Sequence, residues 1–479
     1  MNTKILFRVD GHSQMGLGHI VRSLALVRML KSNFNCHFAI QNPPKGLLPQ
    51  IKGYCKGLIE LPTTNLLIEE AKYLCEHHLT GREIVVLDGY HFGTEYQQII
   101  KNSGCKVVCI DDIHDKHFVA DAIINHTGGI TEDHYSKEDY TQCHFGLNYA
   151  LLRQPFLEAA KNRFSPNAHP IAFVCLGGAD PKNDTLKVLK RLETTETVKQ
   201  CYVVIGAAYL HRKELEVFIS KSKLGITLLE NICATRMIDI MRICSVAITS
   251  PSTISIEYLS VGGDLFLYQT ADNQNDLFNY LTLNQLAFNF NELPPKDKKN
   301  LASARVRQQE ILDGKSGQRL LKVFLNLEKV LHCKIRQADI NDMMTLFEWK
   351  NEEETRQQSL STQTISFAEH KRWFFQKLSS EDCRIYILEY KGQPVGQIRF
   401  DIQNNTVLSF SVDPNTRGKG FGTYLLETGI KQLKKDTHFT KPIIGYVKEG
   451  NIASNKSFTK LGFQRTQAQA YENVYVYAL

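Results

Sequence analysis

The sequence predicts an α/β chain in which two doubly wound parallel halves are followed by a smaller third unit. Its 479 residues are too many for one ordinary core, since a domain takes roughly 150 residues. A rhythm of apolar strand and amphipathic helix runs through residues 1–160 and starts again after the stretch 166–170, which is typical of parallel sheets. The composition then changes at Cys333. We therefore predict domains at residues 1–160, 161–330 and 331–479.

The strands of the first half are short apolar runs that end in polar residues. They are predicted at residues 5–9, 83–87, 106–110 and 122–124. The polar residues just past them are Asp88, Asp111, Asp112 and Asn125. Open parallel sheets bind ligands at the carboxyl ends of their strands, so this edge is a candidate site. Asp111, Asp112 and Asn125 suit turns or helix caps equally well.

The second half repeats the pattern with strands at residues 171–176, 201–205 and 245–249. Small residues follow these strands, beginning at Gly177, Gly206 and Ser250. A helix is predicted to start at residues 254–259, with Glu257 one turn in. Two halves of this kind imply a cleft between them.

The third unit begins with two amphipathic helices that carry Trp349 and Trp373. A hairpin-like pair follows at residues 384–390 and 394–401, with further strands behind it.

Composition and charge exclude several classes of protein. The chain is 43% hydrophobic, and it contains no run of about 18 apolar residues and no cleavable signal pattern, so we expect no membrane segment and a cytoplasmic location. The twelve cysteines include no CxxC pair, which predicts buried free thiols and no metal site. The net charge of +7 is spread along the chain, which does not favour nucleic-acid binding. Anionic small substrates, or chance, would account for it equally well.

A glycine-rich turn, Gly16-x-Gly18-His19, lies between the first strand and a helix predicted at residues 20–30. The N-terminus of a helix offers free N–H groups and partial positive charge, which favours a phosphate and disfavours a protonated imidazole. We therefore expect His19 to be held partly neutral and to be able to accept a proton from water.

Residues 1 to about 325 resemble the UDP-sugar hydrolases of pseudaminic acid biosynthesis, which act on UDP-2,4-diacetamido-2,4,6-trideoxy-β-L-altropyranose. The motifs that carry the resemblance are the following: Asp10 with Gly16-x-Gly18-His19 and Arg22, Asp88-x-Tyr90, Asp111-Asp112, Asp121-x-x-x-Asn125, Gly146-x-x-Tyr149 with Arg153 and Phe156, Gly177-Gly178-x-Asp180, and Asn273-Gln274. The resemblance implies a GT-B fold with His19 as the base that activates water for attack on the anomeric carbon. UDP would leave without help from a metal.

The resemblance also implies a set of residues that bind the UDP-activated amino sugar: Asp10, Gly16, Gly18, Arg22, Tyr90, Arg153, Gly177, Gly178, Ser252, Thr253, Glu257, Asn273 and Gln274. Loop N–H groups at the glycines suit the developing charge, and Glu257 suits the ribose hydroxyls. Many relatives carry glycines where this chain has Ser250, Ser252 and Thr253, so hydroxyls would replace them. Asp10 either orients His19 or simply ends the strand. A glycosyltransferase would use the same cleft and is the alternative reading.

The third unit contains Arg417-x-x-Gly420-x-Gly422, followed by Asn451-x-x-Ser454-x-x-x-Phe458. These two motifs, in this order and spacing, resemble the coenzyme A site of GNAT N-acetyltransferases, where loop N–H groups and a helix dipole hold the pyrophosphate. The resemblance implies acetyl-CoA as co-substrate, bound by Val412, Arg417, Gly418, Lys419, Gly420, Phe421, Gly422, Thr423, Asn451, Ser454 and Phe458.

Some relatives carry a tyrosine where this chain has Phe458, which cannot donate a proton. Tyr424, Tyr446 or water would replace it, or the thiolate would leave unassisted. Glu449 and His370 are candidate bases by residue type alone, and we expect both at the surface.

The segment from Trp349 through Asn351 to Arg356 and the pair His370 and Trp373 resemble the acceptor-side helices of nucleotide-sugar acetyltransferases, although core packing explains the tryptophans equally well.

Together the two resemblances predict consecutive steps on one chain. The third unit would acetylate the 4-amine of a UDP-amino sugar with acetyl-CoA, and the first two would hydrolyse the product to free sugar and UDP. The alternative for the third unit is a non-catalytic coenzyme A sensor or dimerisation module. The sequence leaves the oligomeric state open.

Overall fold

The computed structural model describes residues 2–11, 17–162, 171–293, 298–437 and 441–479. The chain forms two compact units, Met1–Leu331 and His332–Leu479. The division of the first unit at residue 160 stays a prediction.

The first unit opens with nine strands, seven of which form one parallel sheet. These strands are β1 (Lys4–Val9), β2 (Asn35–Gln41), β3 (Gly57–Leu61), β4 (Ile84–Asp88), β5 (Lys106–Ile110), β6 (His117–Phe118), β7 (Ala122–Asn125), β8 (Ser136–Lys137) and β9 (Gln142–Phe145). The sheet order is β3-β2-β1-β4-β5-β7-β9, and β6 pairs with β8. The helices between the strands are α1 (Gly18–Leu30), α2 (Leu48–Tyr54), α3 (Leu67–His78), α4 (Thr94–Asn102) and α5 (Gln154–Lys161).

A second parallel sheet of six strands follows. Its strands are β10 (Ile171–Cys175), β11 (Gln200–Ile205), β12 (Gly225–Glu230), β13 (Val246–Thr249), β14 (Asp264–Leu267) and β15 (Phe288–Asn289), in the order β12-β11-β10-β13-β14-β15. The helices are α6 (Asp184–Thr195), α7 (Arg212–Lys221), α8 (Ala234–Ile243), α9 (Thr253–Val261), α10 (Asn275–Leu283), α11 (Lys298–Ile311) and α12 (Ser316–His332). Both sheets begin with the 3-2-1-4-5 order of Rossmann folds, which confirms the predicted α/β class.

Strand β1 shows how the first sheet is covered on both faces. Ile5 and Phe7 point to one face, where they share a core with Leu24 of α1 and Phe324 of α12. Leu6 points to the other, where it packs with residues of α3 and α4. Because side chains alternate along a strand, both faces of a doubly wound sheet need apolar partners. The last helix of the unit thus returns to the first sheet.

The second unit is built on a mixed seven-stranded sheet. Its strands are β16 (Cys333–Gln337), β17 (Cys383–Tyr390), β18 (Gln393–Ile402), β19 (Thr406–Val412), β20 (Ile443–Lys448), β21 (Gln464–Gln467) and β22 (Val474–Ala478), in the order β16-β17-β18-β19-β20-β22-β21. Its helices are α13 (Met343–Asn351), α14 (Glu353–Gln358), α15 (Phe367–Leu378), α16 (Phe421–Thr437) and α17 (Ile452–Lys460). Helices α16 and α17 cover one face through Leu425 and Phe458, and α13 and α15 cover the other through Leu346 and Phe374.

Strands β19 and β20 are the parallel pair in this sheet, and their pairing is short. Their register runs from Thr406 beside Ile443 to Leu408 beside Gly445. The pairing ends there, so Tyr446 is the first residue of β20 beyond it. Other neighbouring strands of the sheet pair antiparallel.

All twelve cysteines are free thiols, and Cys233 is exposed whereas the predicted pattern was one of buried thiols. Within the described ranges, no helix is long and apolar enough to cross a membrane, and no group of three or more metal-ligating side chains is present.

Candidate active sites

The side chain of His19 is held by a carboxylate at the end of β4. His19 is the second residue of α1 and is 6% exposed. Its Nδ1 lies 2.7 Å from Oδ1 of Asp88. The parallel register pairs Val9 with Asp88, so the carboxylate sits beside the point where β1 hands over to the loop and α1. Strand pairing and the short connection therefore bring the two side chains together.

The contact fixes which nitrogen of His19 carries the proton. Burial raises the pKa of Asp88, but the positive charge of Arg22 and the hydrogen bond from His19 outweigh it and hold that pKa well below its usual range. An ionised carboxylate can only accept hydrogen bonds, so Nδ1 is the donor to Asp88. Nη2 of Arg22 also lies 3.0 Å from Nδ1, but this guanidinium nitrogen donates to Asp88 Oδ1 at the shorter distance of 2.6 Å. The lone pair is then on Nε2, which receives no hydrogen bond from any described residue. The arrangement matches the His–Asp half of a hydrolytic triad.

Arg22 connects two carboxylates at this edge of the sheet. Its Nη2 donates to Asp88 at 2.6 Å and its Nη1 donates to Asp112 at 3.0 Å. Ser23 Oγ adds a hydrogen bond to Asp88 Oδ2 at 2.8 Å. Arg22 stays charged at any physiological pH, so it fixes both carboxylates in the ionised form.

Tyr90 covers one side of the histidine. The two rings meet edge to face with centroids 4.7 Å apart. Burial raises the pKa of Tyr90 to about 12, so its hydroxyl stays protonated. The hydroxyl oxygen lies 3.5 Å from Asp112 Oδ2. Tyr90 therefore restricts the ring of His19 and leaves a hydroxyl at the site.

Asp10 does not contact His19, and the question left open by the sequence is thereby answered. Its carboxylate pairs with Arg8 at 2.5 Å and with His91 at 3.2 Å, and it accepts a hydrogen bond from the Gln41 amide. The pairing arises because Arg8 is fully buried on β1 and needs carboxylates within reach. Asp88 takes the orienting role, and its only signal in the sequence is weak: a carboxylate that follows four apolar residues.

The remaining predicted residues of the first half divide into turn formers and site residues. Asp111 accepts from the backbone N–H groups of Ile113 and His114, and Asn125 accepts from that of Thr127, so both shape turns. Gly18 begins α1 with open space around it. Gly16 lies outside the described residues.

A bidentate ion pair links the two halves of the first unit. Arg153 donates from Nε and Nη2 to the two carboxylate oxygens of Glu257, each at 2.7 Å. Glu257 is 3% exposed, and burial raises its pKa although Arg153 opposes the shift. Each oxygen has a further lone pair, so the carboxylate can still accept from a ribose hydroxyl.

The glycine turn after β10 comes close to the next strand. Gly177 has φ +105°, a conformation that favours glycine. A side chain at Gly206 would lie 2.6 Å from the Cα of Gly178, so the two loops touch. Asp180 accepts from the backbone N–H groups of Asp184 and Thr185 at the start of α6 and therefore acts as a cap.

The hydroxyl-rich loop after β13 leads into α9. Ser250 Oγ and Ser252 Oγ lie 3.0 Å apart, and Thr253 is the first helical residue. Thr249 Oγ1 is buried without a hydrogen-bond partner in the described part of the chain. The loop thus offers side-chain hydroxyls beside a helix N-terminus, where anions are favoured.

After β14, Asn273 and Gln274 differ in exposure and in their contacts. Asn273 is exposed. Gln274 Oε1 accepts from the backbone N–H of Thr270 at 2.9 Å, so it closes its own loop.

In the second unit, the predicted pyrophosphate loop joins β19 to α16. Gly418 and Gly420 have φ values of +76° and +78°, and open space surrounds the Cβ position of Gly418. The loop runs directly into the first turn of α16 at Phe421, whose N–H groups have no intrahelical partner. This geometry fits a phosphate group.

The side chain of Arg417 is engaged within the protein. Its Nη2 lies 2.6 Å from Glu352, its Nη1 2.6 Å from Glu354, and Nη2 also donates to Thr355 Oγ1 at 2.7 Å. Arg417 lowers the pKa of Glu352 to about 2. The guanidinium therefore fastens the loop to the start of α14, and any contact of residue 417 with a cofactor would use its backbone.

Other predicted cofactor residues have partners of their own. Lys419 Nζ donates to the Asn415 carbonyl at 3.1 Å, and Thr423 Oγ1 donates to Ser457 at 3.0 Å. Asn451 caps α17 by accepting from the Ser454 backbone at 3.1 Å. Val412 packs at the end of β19.

Phe458 lies in the core rather than at a surface. It is 1% exposed, stacks on Tyr477 with centroids 4.9 Å apart, and fills the space that a side chain at Gly445 would need. Tyr446 is 37% exposed and follows Gly445 directly, where the pairing of β19 with β20 ends. Burial raises the pKa of Tyr424 to about 12.

The expectation that His370 lies at the surface is wrong. It is 2% exposed, its Nε2 is 3.1 Å from the Met343 carbonyl, and its ring packs among Phe347, Trp373 and Phe374. Helix α15 turns this residue towards α13, so burial lowers its pKa. Glu449 is exposed, as expected.

Both units are similar to known proteins. Residues 343–463 match the model of the Acetyltransferase (GNAT) family. Over 505 aligned positions the chain is 23% identical to an uncharacterized protein of Methanocaldococcus jannaschii, and the match covers 99% of both chains. It is 28% identical to the UDP-2,4-diacetamido-2,4,6-trideoxy-β-L-altropyranose hydrolase of Campylobacter jejuni, over 45% of this chain and 74% of that protein.

Among solved structures, the N-acetyltransferase PseH of Campylobacter jejuni matches 31% of this chain and 96% of its own length, with 19% identity and a TM-score of 0.25. The sequence matches confirm the two resemblances seen above: the chain joins a segment similar to a UDP-sugar hydrolase to a GNAT unit.

Proposed function

We propose that the first unit hydrolyses UDP-2,4-diacetamido-2,4,6-trideoxy-β-L-altropyranose to the free sugar and UDP. The second unit would supply this substrate by acetylating the 4-amine of the preceding UDP-amino sugar with acetyl-CoA. Both steps belong to the biosynthesis of pseudaminic acid. The observation that carries the hydrolase is the 2.7 Å contact between His19 Nδ1 and Asp88, because it leaves Nε2 as a base at the carboxyl edge of the sheet.

In the hydrolytic step, His19 Nε2 takes a proton from water as the water oxygen attacks the anomeric carbon. The bond from that carbon to the diphosphate oxygen breaks, and UDP leaves with the electron pair. The imidazolium that forms is stabilised by Asp88, whose charge is maintained by Arg22. UDP is a good leaving group, so the protein mainly has to hold the diphosphate and place one water.

The second half is suited to hold UDP. The turn at Gly177 and the hydroxyl loop at Ser252 and Thr253 provide N–H and O–H donors beside helix N-termini. Glu257 is positioned to accept from the ribose. The ion pair with Arg153 compensates the negative charge of Glu257 before a nucleotide binds.

In the second unit, the glycine loop and the first turn of α16 would hold the pyrophosphate of acetyl-CoA. The thioester supplies the acetyl group: the neutral amine attacks its carbonyl carbon, the carbon–sulfur bond breaks, the nitrogen loses one proton to water, and the thiolate gains one. Tyr446 is suited to donate the proton to the thiolate, because it is accessible and lies where the pairing of β19 with β20 ends, whereas Phe458 has no proton to give and is buried.

The experiment supplies the purified chain with the UDP-4-amino sugar, with and without acetyl-CoA, and follows thiol and UDP release. We expect thiol release first and UDP release only when acetyl-CoA is present. A His19→Ala protein should release thiol normally and UDP about 10³-fold more slowly or worse. The matched control is His77→Ala, a histidine on the outer surface of α3, which should behave like the wild type.

Undiminished UDP release by His19→Ala would refute the proposal that His19 is the base. Absence of thiol release would refute the acetyltransferase and favour a coenzyme A sensor. A glycosyltransferase would instead release UDP only after an acceptor is added, with no free reducing sugar formed.

A further inference from the structure

A second histidine, His126, lies at the same edge of the first sheet as His19. It follows β7, and the register that pairs Asp88 with Ile110 and Ile110 with Ile124 brings the ends of β4, β5 and β7 level. His126 is 7% exposed. It interacts electrostatically with Arg22, Asp112 and Asp88, which are the residues that surround His19.

The proton of His126 is on the opposite nitrogen from that of His19. The backbone N–H of Leu151 donates to His126 Nδ1 at 3.3 Å, so Nδ1 has the lone pair and Nε2 the proton. Burial, reinforced by Arg22, lowers the pKa of His126 to about 4 against the pull of Asp112 and Asp88. His126 is therefore neutral at pH 7, and none of the described residues hydrogen-bonds its Nε2–H.

Asp112 has an unused acceptor at the same place. Its Oδ2 receives the hydrogen bond from Arg22. Its Oδ1 is buried and has no hydrogen-bond partner in the described part of the chain. A buried polar atom without a partner is costly, so this open acceptor, together with the Nε2–H donor of His126 at the same edge, points to a ligand that supplies both partners.

We propose that His126 Nε2–H and Asp112 Oδ1 bind an acetamido group of the sugar, with the amide oxygen accepting from His126 and the amide N–H donating to Asp112. This inference rests on the proposed hydrolase function and adds two specificity-determining residues to it. A secondary amide has one donor and one acceptor, which is the pattern required. An ammonium group could donate to Asp112 but offers no acceptor to His126, whose Nε2–H would stay unpaired.

The pair would therefore select for acetylated substrates. A site built to hydrogen-bond a substrate rejects analogues that leave its buried polar groups unpaired, often by several orders of magnitude. In a two-step chain, this selectivity would keep the hydrolase from consuming the unacetylated sugar nucleotide.

The test measures kcat/KM for UDP release from the diacetamido sugar nucleotide and from two analogues, each with a free amine in place of one acetamido group. We expect the wild type to favour the diacetamido substrate over at least one analogue by 100-fold or more. In His126→Leu that preference should fall at least tenfold. His126→Gln should restore much of it, because the glutamine amide accepts from Leu151 and still donates.

The matched control is His144→Leu on the neighbouring strand β9, which removes another partly buried histidine and should keep the wild-type preference. Affinity for UDP alone, measured by calorimetry, should be unchanged in His126→Leu, since UDP has no acetamido group. Melting temperatures show whether each variant is folded.

A measurement on unaltered His126 covers the case in which His126→Leu does not fold. In His19→Ala protein labelled with ¹⁵N-histidine, the Nε2–H signal of His126 should shift when the diacetamido sugar nucleotide is added and stay in place when UDP is added. The inference is overturned if folded His126→Leu keeps the wild-type preference, or if the Nε2–H signal does not shift when the sugar nucleotide is added. In either case, UDP release by the wild type would still support the proposed hydrolase. Absence of UDP release by the wild type refutes the hydrolase itself.

Discussion

Nδ1 of His19 lies 2.7 Å from Oδ1 of Asp88, 69 residues further along the chain. The contact joins the first turn of α1 to the end of β4, and it sets the tautomer of the imidazole. The same carboxylate also receives hydrogen bonds from Arg22 and Ser23. Asp88 thus acts on the proposed chemistry through another residue, as a positioning group.

Asp88→Asn should lower kcat for UDP release by about 10³–10⁴-fold, the size of effect seen when an orienting carboxylate is amidated. An amide group at residue 88 can donate to Nδ1 and so favours the proton on Nε2, which removes the base. The KM for the sugar nucleotide should change little. Ser23→Ala, which removes one hydrogen bond from the same carboxylate, is the control and should cost less than tenfold.

Gly128→Ala should impair the first unit, because Gly128 is pressed against the ring of Tyr280. A Cβ at residue 128 would lie 2.1 Å from ring carbons of Tyr280 on α10, so the contact between the two halves has to shift. We expect a loss of about 1–3 kcal/mol in the free energy of unfolding, the usual cost of overpacking. Gly128→Ala combined with Tyr280→Ala should recover part of it, and Gly53→Ala, which meets no neighbour, should be harmless. Equal stability of Gly128→Ala and wild type in denaturant titrations would contradict this account.

The stability of the first unit should fall between pH 6.5 and pH 4 in a way that depends on His126. Its pKa is about 4 when folded and about 6.5 when unfolded, so the unfolded chain binds the extra proton in this range and unfolding becomes easier as the pH falls. The difference amounts to about 3 kcal/mol at full effect. The melting temperature of His126→Gln should therefore fall less than that of the wild type from pH 7.5 to pH 4.5. Parallel curves for the two proteins would show that His126 does not titrate as described.

Glu352→Gln should weaken acetyl-CoA binding without changing the rate of UDP release from the diacetamido sugar nucleotide. The charged hydrogen bond between Arg417 and Glu352 fastens the proposed pyrophosphate loop to α14, and both side chains are partly exposed at 27% and 28%. Because solvent screens such pairs, we expect a rise of about three- to tenfold in the KM for acetyl-CoA. Glu354→Gln is the control, since that side chain is 65% exposed, and its KM should stay within about twofold. Thiol release with varied acetyl-CoA measures both.

Tyr446→Phe should lower kcat for thiol release by at least tenfold and leave the KM for acetyl-CoA nearly unchanged, as expected when a general acid is lost. Tyr424→Phe is the comparison, because Tyr424 is half-buried. A larger loss in Tyr424→Phe than in Tyr446→Phe would exchange the two roles.

The sequence predicted the architecture well because most strands of both parallel sheets can be identified from short local runs of apolar residues. Runs such as residues 106–110 are apolar throughout and end in polar turns, and each such run became a strand. Strands β2 and β3 have weaker patterns, with His37 and Glu60 inside them. Pairing of β2 with β1, and of β3 with β2, supplies what their own residues do not.

The site was predicted in part. His19 and Arg22 lie in one short motif, so their closeness follows from helix spacing. The partnership of His19 with Asp88 depends on strand register, which no local pattern encodes. The sequence leaves two roles open for Asp10, because the partner that decides between them, the guanidinium of Arg8, is buried by the fold. The burial of His370 likewise depends on how α15 packs on α13.

The first turn of α1 contains no acidic residue, and Leu17 provides no side-chain cap. What holds this turn is the carboxylate at the end of β4, through three side chains of the helix. The reaction centre therefore cannot be assembled by the N-terminal segment alone, however helical that segment is. During refolding, UDP release should return only after β4 has docked beside β1, so recovery of activity reports on the closing of the central sheet.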